Sequence, residues 1–344
     1  MRNTRNYLMM SALVLIVLSA CKKDDKPAVE LPLPASSGRV LISCEGSFGS
    51  VNASISAYST LDNSIVNNVF SQVNMQDLGD VLQSLEGAND KVYAVVNNSS
   101  KIEVMDKEGL IREIPITGLL SPRFILPIDS EKAYVSDLFS GSISVVDLLT
   151  KSVTDVINVN AWTEEMLRDG DFAYVTAADK DKLYVVNVNT DMVVDSIQVT
   201  LGPIALSIDS QGKLWVLCNG YFGVVPPELH RIDLSTSSVM ASMTLPAPFA
   251  YQMKMAMNPA KDRVYVMNNT VFSMGINQTT LSTTPVVPFP GNAYGLGVSP
   301  FNGDIYVGDA PDFSNPGKVF RYSSSGAFID SMQVGIAPNG FLFQ

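Results

Sequence analysis

Short apolar segments alternate with polar turns along nearly the whole chain. Seven share one pattern: GRVLIS (38–43), DKVYAVVN (90–97), EKAYVSD (131–137), DFAYVTA (171–177), GKLWVLCN (212–219), DRVYVMNN (262–269) and GDIYVGD (303–309). Each holds one large anchor: Leu41, Tyr93, Tyr134, Tyr174, Trp215, Tyr265 or Tyr306. Runs this short, rich in Val, Ile and Tyr and bounded by Gly, Asp, Asn or Ser, read as strands. The anchors recur at intervals of 52, 41, 40, 41, 50 and 41 residues. A period of about 40 with only β patterns between anchors predicts propeller blades of four strands each.

One unit can be followed throughout. Residues 122–129 (PRFILPID) predict a first strand, 133–137 a second, 142–147 (SISVVD) a third and 153–159 (VTDVINV) a fourth. Beyond the N-terminal leader, no helical period lasts more than about two turns. The repeat region opens at Gly38 on a second strand and closes on a lone first strand, Ile336 to Phe343. That last strand can complete the blade begun by 38–70 and so remove both open edges. The expectation is an all-β, seven-bladed β-propeller over 38–344, with four-stranded antiparallel blades and a ring closed by the C-terminal strand.

Residues 1–20 differ in kind. Arg2 and Arg5 precede an apolar stretch from about Tyr7 to Val17, too short for a membrane span and suited to a signal peptide. Leu18-Ser19-Ala20-Cys21 follows and resembles the bacterial lipobox, which implies lipidation at Cys21. Residues 21–37, with Lys22-Lys23-Asp24-Asp25, Pro32 and Pro34, form a polar tether that packs no core. Acidic residues just after the cysteine resemble the surface-export signal of some Gram-negative lipoproteins. The expected location is the outer membrane, lipid-anchored and facing outward.

Composition narrows the chemistry. The 344 residues carry 23 Lys+Arg against 34 Asp+Glu, a formal charge of −11. This argues against a nucleic-acid partner, which needs a basic stripe, and against binding to anionic lipid surfaces. A single His, His230, excludes multi-histidine metal centres, and three Cys exclude a disulfide scaffold. Cys44 and Cys218 fall three residues after their anchors on non-adjacent blades and read as small buried thiols. His230 reads as a structural histidine. Glu164-Glu165 is a carboxylate pair in a loop, where such pairs are usually solvated. No catalytic residue, metal ligand or cofactor is assigned.

In a propeller, loops leaving the second strand share a face with loops leading into the first. The former carry Glu45, Asn97, Asn98, Asp137, Asp179, Asn219, Asn268, Asn269 and Asp309. Such oxygens suit either a hard cation or plain Asx turns. The same face collects Phe48, Phe139, Trp162, Tyr221, Phe222, Phe249, Tyr251 and Tyr294. Aromatics in loops supply broad contact area at small entropy cost. The candidate ligand-binding residues are therefore Phe48, Asn97, Phe139, Trp162, Tyr221, Phe222, Tyr251 and Tyr294.

The motifs AYVSD, AYVTA, VYVMN and IYVGD, each with a following I-x-V-[VI]-D/N-type strand, resemble the YVTN-repeat, YncE-like propellers. Residues 45–54 (EGSFGSVNAS), 78–81 (LGDV) and 91–106 (KVYAVVNNSSKIEVMD) resemble the surface propeller lipoproteins of gut anaerobes that capture cobalamin. That resemblance implies a non-enzymatic protein that binds a corrinoid on one face and docks onto a TonB-dependent outer-membrane transporter. A protein- or glycan-binding scaffold stays open beside it. So does a metal-dependent lactonase using Glu45 with Asn97, Asn219, Asn268 or Asp309.

Overall fold

The computed structural model describes residues 33–246 and 252–344. The leader, Cys21 and the tether up to residue 32 lie outside them, as do Phe249 and Tyr251. Among the described residues no helix is long and apolar enough to cross a membrane.

Seven antiparallel sheets are present, one for each anchor, and we number the blades 1 to 7 in anchor order. Blade 3 follows the expected plan: Pro122–Pro127, Lys132–Asp137, Ser142–Asp147 and Ser152–Asn158, paired in sequence. All seven anchors are buried, because each second strand lies between a first and a third strand and between two neighbouring blades. The core is accordingly divided into layers between blades. One layer joins Tyr134 and Val145 of blade 3 to Ala173 and Val175 of blade 4. The next joins Tyr174 and Val185 to Leu214 and Val216 of blade 5. Each fully buried side chain of this size contributes about 1.5–3 kcal/mol.

The first strands form the inner ring. Leu82–Ala88, Pro122–Pro127, Thr163–Asp169, Pro203–Ile208, Met253–Met257 and Ala293–Val298 each contact the next. Pro338–Phe343 fills the seventh place between the last and the first of them. It pairs with Arg39–Cys44 in the register Val40 to Phe343 and Ile42 to Phe341, so the C-terminal strand completes blade 1. Space for that join comes from Gly308, where a Cβ would meet the Pro338 carbonyl oxygen at 2.2 Å.

Blades 2 and 6 depart from the plan at their outer edge. Their fourth position is held by isolated bridges, Ile102–Ile116 and Met105–Arg112 in blade 2 and Val271–Val287 in blade 6. Proline explains both: Pro115 lies beside Ile116, and Pro285 and Pro288 flank the Val286-Val287 pair. A proline lacks the N–H that a continuous ladder needs. The 52-residue anchor interval also accommodates a short helix, Val69–Asn74, which buries Val69 and Phe70 against blades 1 and 2.

Candidate ligand face and channel mouth

The first strands share a local irregularity that creates the site. As the strand enters its blade, the pairing slips past Gln83 in blade 2, Arg123-Phe124 in blade 3 and Glu164-Glu165 in blade 4. It slips again past Ile204 in blade 5, Tyr294 in blade 7 and Asn339 in blade 1. A β-bulge re-aims the side chains of the residues it expels from the ladder. Here six bulges ring one end of the central channel. Neighbouring hydroxyls satisfy the displaced backbone: Ser136 Oγ accepts from Phe124 N at 3.0 Å, and Thr176 Oγ1 donates to Glu165 O at 3.0 Å.

The expelled side chains link blades. Arg123 Nε donates to both oxygens of Glu164, at 2.9 and 3.0 Å, and its Nη1 donates to Gln83 Oε1. Glu165 turns the other way and accepts from Leu206 N at 3.0 Å. Glu45 Oε2 accepts from Tyr294 Oη at 2.6 Å, and Glu45 Oε1 accepts from Asn339 Nδ2 at 2.7 Å. Burial pushes the Glu165 carboxyl up to about 7, against the Leu206 N–H and Lys254, which favour its charged form. Burial likewise raises Glu86, deeper in the channel, to about 7. The mouth pocket, about 260 Å³, is lined by Gln83, Arg123, Glu164, Glu165, Asn219 and Lys254 among others. A larger cavity of about 470 Å³ continues past Glu86, Phe124, Leu126 and Phe341.

The loops around this mouth carry the aromatic candidates. Phe48, Phe139, Trp162, Tyr221 and Phe222 are all exposed. Phe139 and Trp162 meet edge to face with ring centroids 6.3 Å apart. The Trp162 backbone is fixed from both sides, by Asp179 Oδ1 at 2.8 Å and by Ala178 N at 2.7 Å. Tyr221 and Phe222 sit on a tight turn closed by a Tyr221–Val225 bridge. Tyr294 is placed differently. It is only 6% exposed and packs against Phe313 at 4.9 Å, because its bulge turns it inward toward Glu45. Asn97 is committed to the adjoining loop, donating to Ser121 Oγ at 2.9 Å and Pro122 O at 3.0 Å.

Other second-strand exits act the same way. Asp137 accepts from Ser121 N, Phe139 N and Ser140 N, and Asn268 donates to Pro246 O at 2.6 Å. The bonds from Phe139 N and Ser140 N to Asp137 make an Asx turn, and the others tie each exit to the loop that leads into the neighbouring strand. Among the described residues no group of three or more His, Cys, Asp or Glu is placed to hold a metal ion. His230 is buried, accepts from Thr200 N at 3.1 Å and pairs with Ser242 Oγ at 2.8 Å. Desolvation lowers its pKa, against the Glu228 carboxylate, which favours the charged form. Cys44 and Cys218 are buried free thiols, as expected, and burial pushes the Cys44 thiol up to about 12.

The Glu164-Glu165 expectation needs revision. The pair lies on the innermost strand of blade 4, facing the channel, and not in a solvated loop. Arg123, Gln83, Glu86 and Lys254 were not singled out by sequence reading either.

The family described as Domain of unknown function (DUF5074) matches residues 38–311, and the chain belongs to it. No curated protein matches the sequence. Solved structures share the fold at low identity. A quinonprotein alcohol dehydrogenase-like protein from Bacteroides thetaiotaomicron has a TM-score of 0.70 at 13% identity, covering 90% of this chain and 79% of that one. A 6-phosphogluconolactonase candidate from Bacteroides fragilis has a TM-score of 0.67 at 15% identity, covering 89% and 97%. Hydrazine synthase from Kuenenia stuttgartiensis has a TM-score of 0.63 at 15% identity, covering 73% and 85%. Likeness at this level carries the fold and not the activity.

Proposed function

We propose that this DUF5074 chain is a non-enzymatic, lipid-anchored surface protein that captures a corrinoid, such as cobalamin, for an outer-membrane transporter. The observation that carries the reading is the crown of exposed rings, Phe48, Phe139, Trp162, Tyr221 and Phe222, on the face that holds the channel mouth. Such rings are rigid and offer large contact area at low entropy cost. A corrin is broad, flat and fringed with amides. It suits a shallow ring-lined face whose loops also present backbone and Asx groups. The opening motif over 45–54 and the Leu18–Cys21 lipobox support the ligand class and the anchor.

The test is calorimetric titration of the purified protein with cyanocobalamin. Saturable one-to-one heat is expected, weakened by Trp162→Ala and by Phe139→Ala. Absence of heat with the unmodified protein would overturn the corrinoid assignment. Unchanged affinity in both variants would move the ligand off this part of the face.

A further inference from the structure

We propose that the channel mouth, which lies within the crown of rings but is lined by none of them, is a second binding site, and that it takes a free α-amino acid or short peptide. What the mouth can bind depends on which of its polar groups already have partners. Arg123 is committed to Glu164 and Gln83, so that pair is neutralised and fixes the wall. Three nearby groups are not committed. Lys254 has no hydrogen-bond or ion-pair partner among the described residues, and its charge acts on Glu165. Glu165 uses one oxygen, for Leu206 N, and leaves the other open. Asn219 leaves its Oδ1 buried without a partner. All three line the same pocket.

This set selects a class of ligand. The cation comes from blade 6, whereas the carboxylate and the amide come from blades 4 and 5. A simple anion finds only Lys254, since Arg123 is taken, and meets Glu165 beside it. A simple cation meets Lys254. A ligand that carries both a carboxylate and an ammonium satisfies Lys254 and Glu165 at once. Amide groups on the same ligand pair with Asn219, an otherwise costly orphan. The mouth, at about 260 Å³, is smaller than the usual pocket for a drug-sized ligand and suits a compact one. Phe124 is the aromatic ring lining it, so stacking on a sugar is poorly served.

The test is ligand-observed saturation-transfer NMR on the whole protein. The probes are the common amino acids and glycylglycine, each at about 1 mM, where a millimolar ligand is half bound. Transfer to one or a few of them is expected. For those, Lys254→Gln and Glu165→Gln should each weaken binding roughly tenfold, as loss of a charge-assisted bond does. On the unmodified protein, the C-terminal amide and the N-acetyl form of the same ligand should lose as much. This keeps the test valid if a variant fails to fold. Trp162→Ala should leave the binding unchanged, so failure of the corrinoid reading does not touch this one. No transfer to any probe overturns the proposal. Full binding of the amide and N-acetyl forms also overturns it, as does equal loss in Trp162→Ala.

Discussion

Replacing Asn339 with Ala probes how the ring is held shut. Asn339 is 2% exposed and occupies the bulge of the C-terminal strand. Its Nδ2 donates to Glu45 Oε1 at 2.7 Å, to Gln83 O at 2.9 Å and, more weakly, to Leu82 O at 3.2 Å. Its Oδ1 accepts from Ser43 Oγ. One side chain therefore ties the last strand to the first strand of the chain and to the inner strand of blade 2. An amide nitrogen has two protons, so two of its contacts are strong. Truncation leaves a carboxylate oxygen, a buried carbonyl and a buried hydroxyl without that partner. Each such orphan costs about 1–3 kcal/mol, and Tyr294 still serves Glu45, so about 3–5 kcal/mol is expected in all. For a domain this large that lowers the melting temperature by roughly 6–12 °C. Urea unfolding followed by circular dichroism reads the same loss as a shift in midpoint at constant slope. Asn97→Ala is the control: it removes two bonds at a blade junction away from the closure, and about 1–2 kcal/mol is expected. A loss in Asn339→Ala below about 1 kcal/mol, or no larger than in Asn97→Ala, would refute the reasoning. Closure would then rest on the backbone ladder and on Phe341 and Phe343 packed against Tyr306.

Three further outcomes are expected. Burial raises Glu86 and Glu165 to about 7, well above the ordinary carboxylate range, so between that range and 7 the folded chain holds more protons than the unfolded chain. Stability from these two groups is full below the unfolded pKa and falls as pH rises through the folded one. Thermal scans should show this decline, and the Glu86→Gln/Glu165→Gln double variant should flatten it; a flat profile for the unmodified protein contradicts the burial argument. Asp209→Ala should destabilise by about 3–5 kcal/mol in urea, because it strips the partner from the fully buried Trp215 Nε1 and from Arg231 Nε, each 2.9 Å away; a loss under about 1 kcal/mol would show that water replaces the carboxylate. Phe222→Ala should shift the melting temperature by less than about 2 °C, because the ring is 85% exposed; a larger drop would mean that it packs and does not wait for a ligand.

The architecture was legible because a propeller repeats one decision. A large side chain in the middle of every second strand must be buried from both faces. The seven anchors show this in sequence as a period, and the strand limits of blade 3 follow within a residue or two. Ring closure was legible from a surplus first strand at one end and a missing one at the other. The weak outer edges of blades 2 and 6 were also written there, in Pro115, Pro285 and Pro288, but a strand count passes over them.

The channel mouth was hidden for a reason that linear reading shares with any local pattern. A bulge reverses the facing of the residues it expels, so alternation predicts the wrong side for them. Glu164-Glu165 and Tyr294 stand at such bulges, where the strand has only just begun, and so read as loop residues. Yet a signal was present. Arg123 and Glu164 are separated by 41 residues, and so are Glu165 and the Leu206 amide. Those separations equal the repeat, because equivalent positions in successive blades become neighbours around the axis. Complementary charges one period apart are therefore the sequence mark of a channel contact, much as charges four apart mark a helix face. Lys254 escaped that rule because it lies within the 50-residue anchor interval, whose extra residues shift blade 6 out of step with blade 5. Aligning the repeats on their anchors, and on the hydroxyls Ser43, Ser136 and Thr176 two residues later, restores the register. Gln83, Arg123, Glu164 and Lys254 then all fall ten or eleven residues before their anchors.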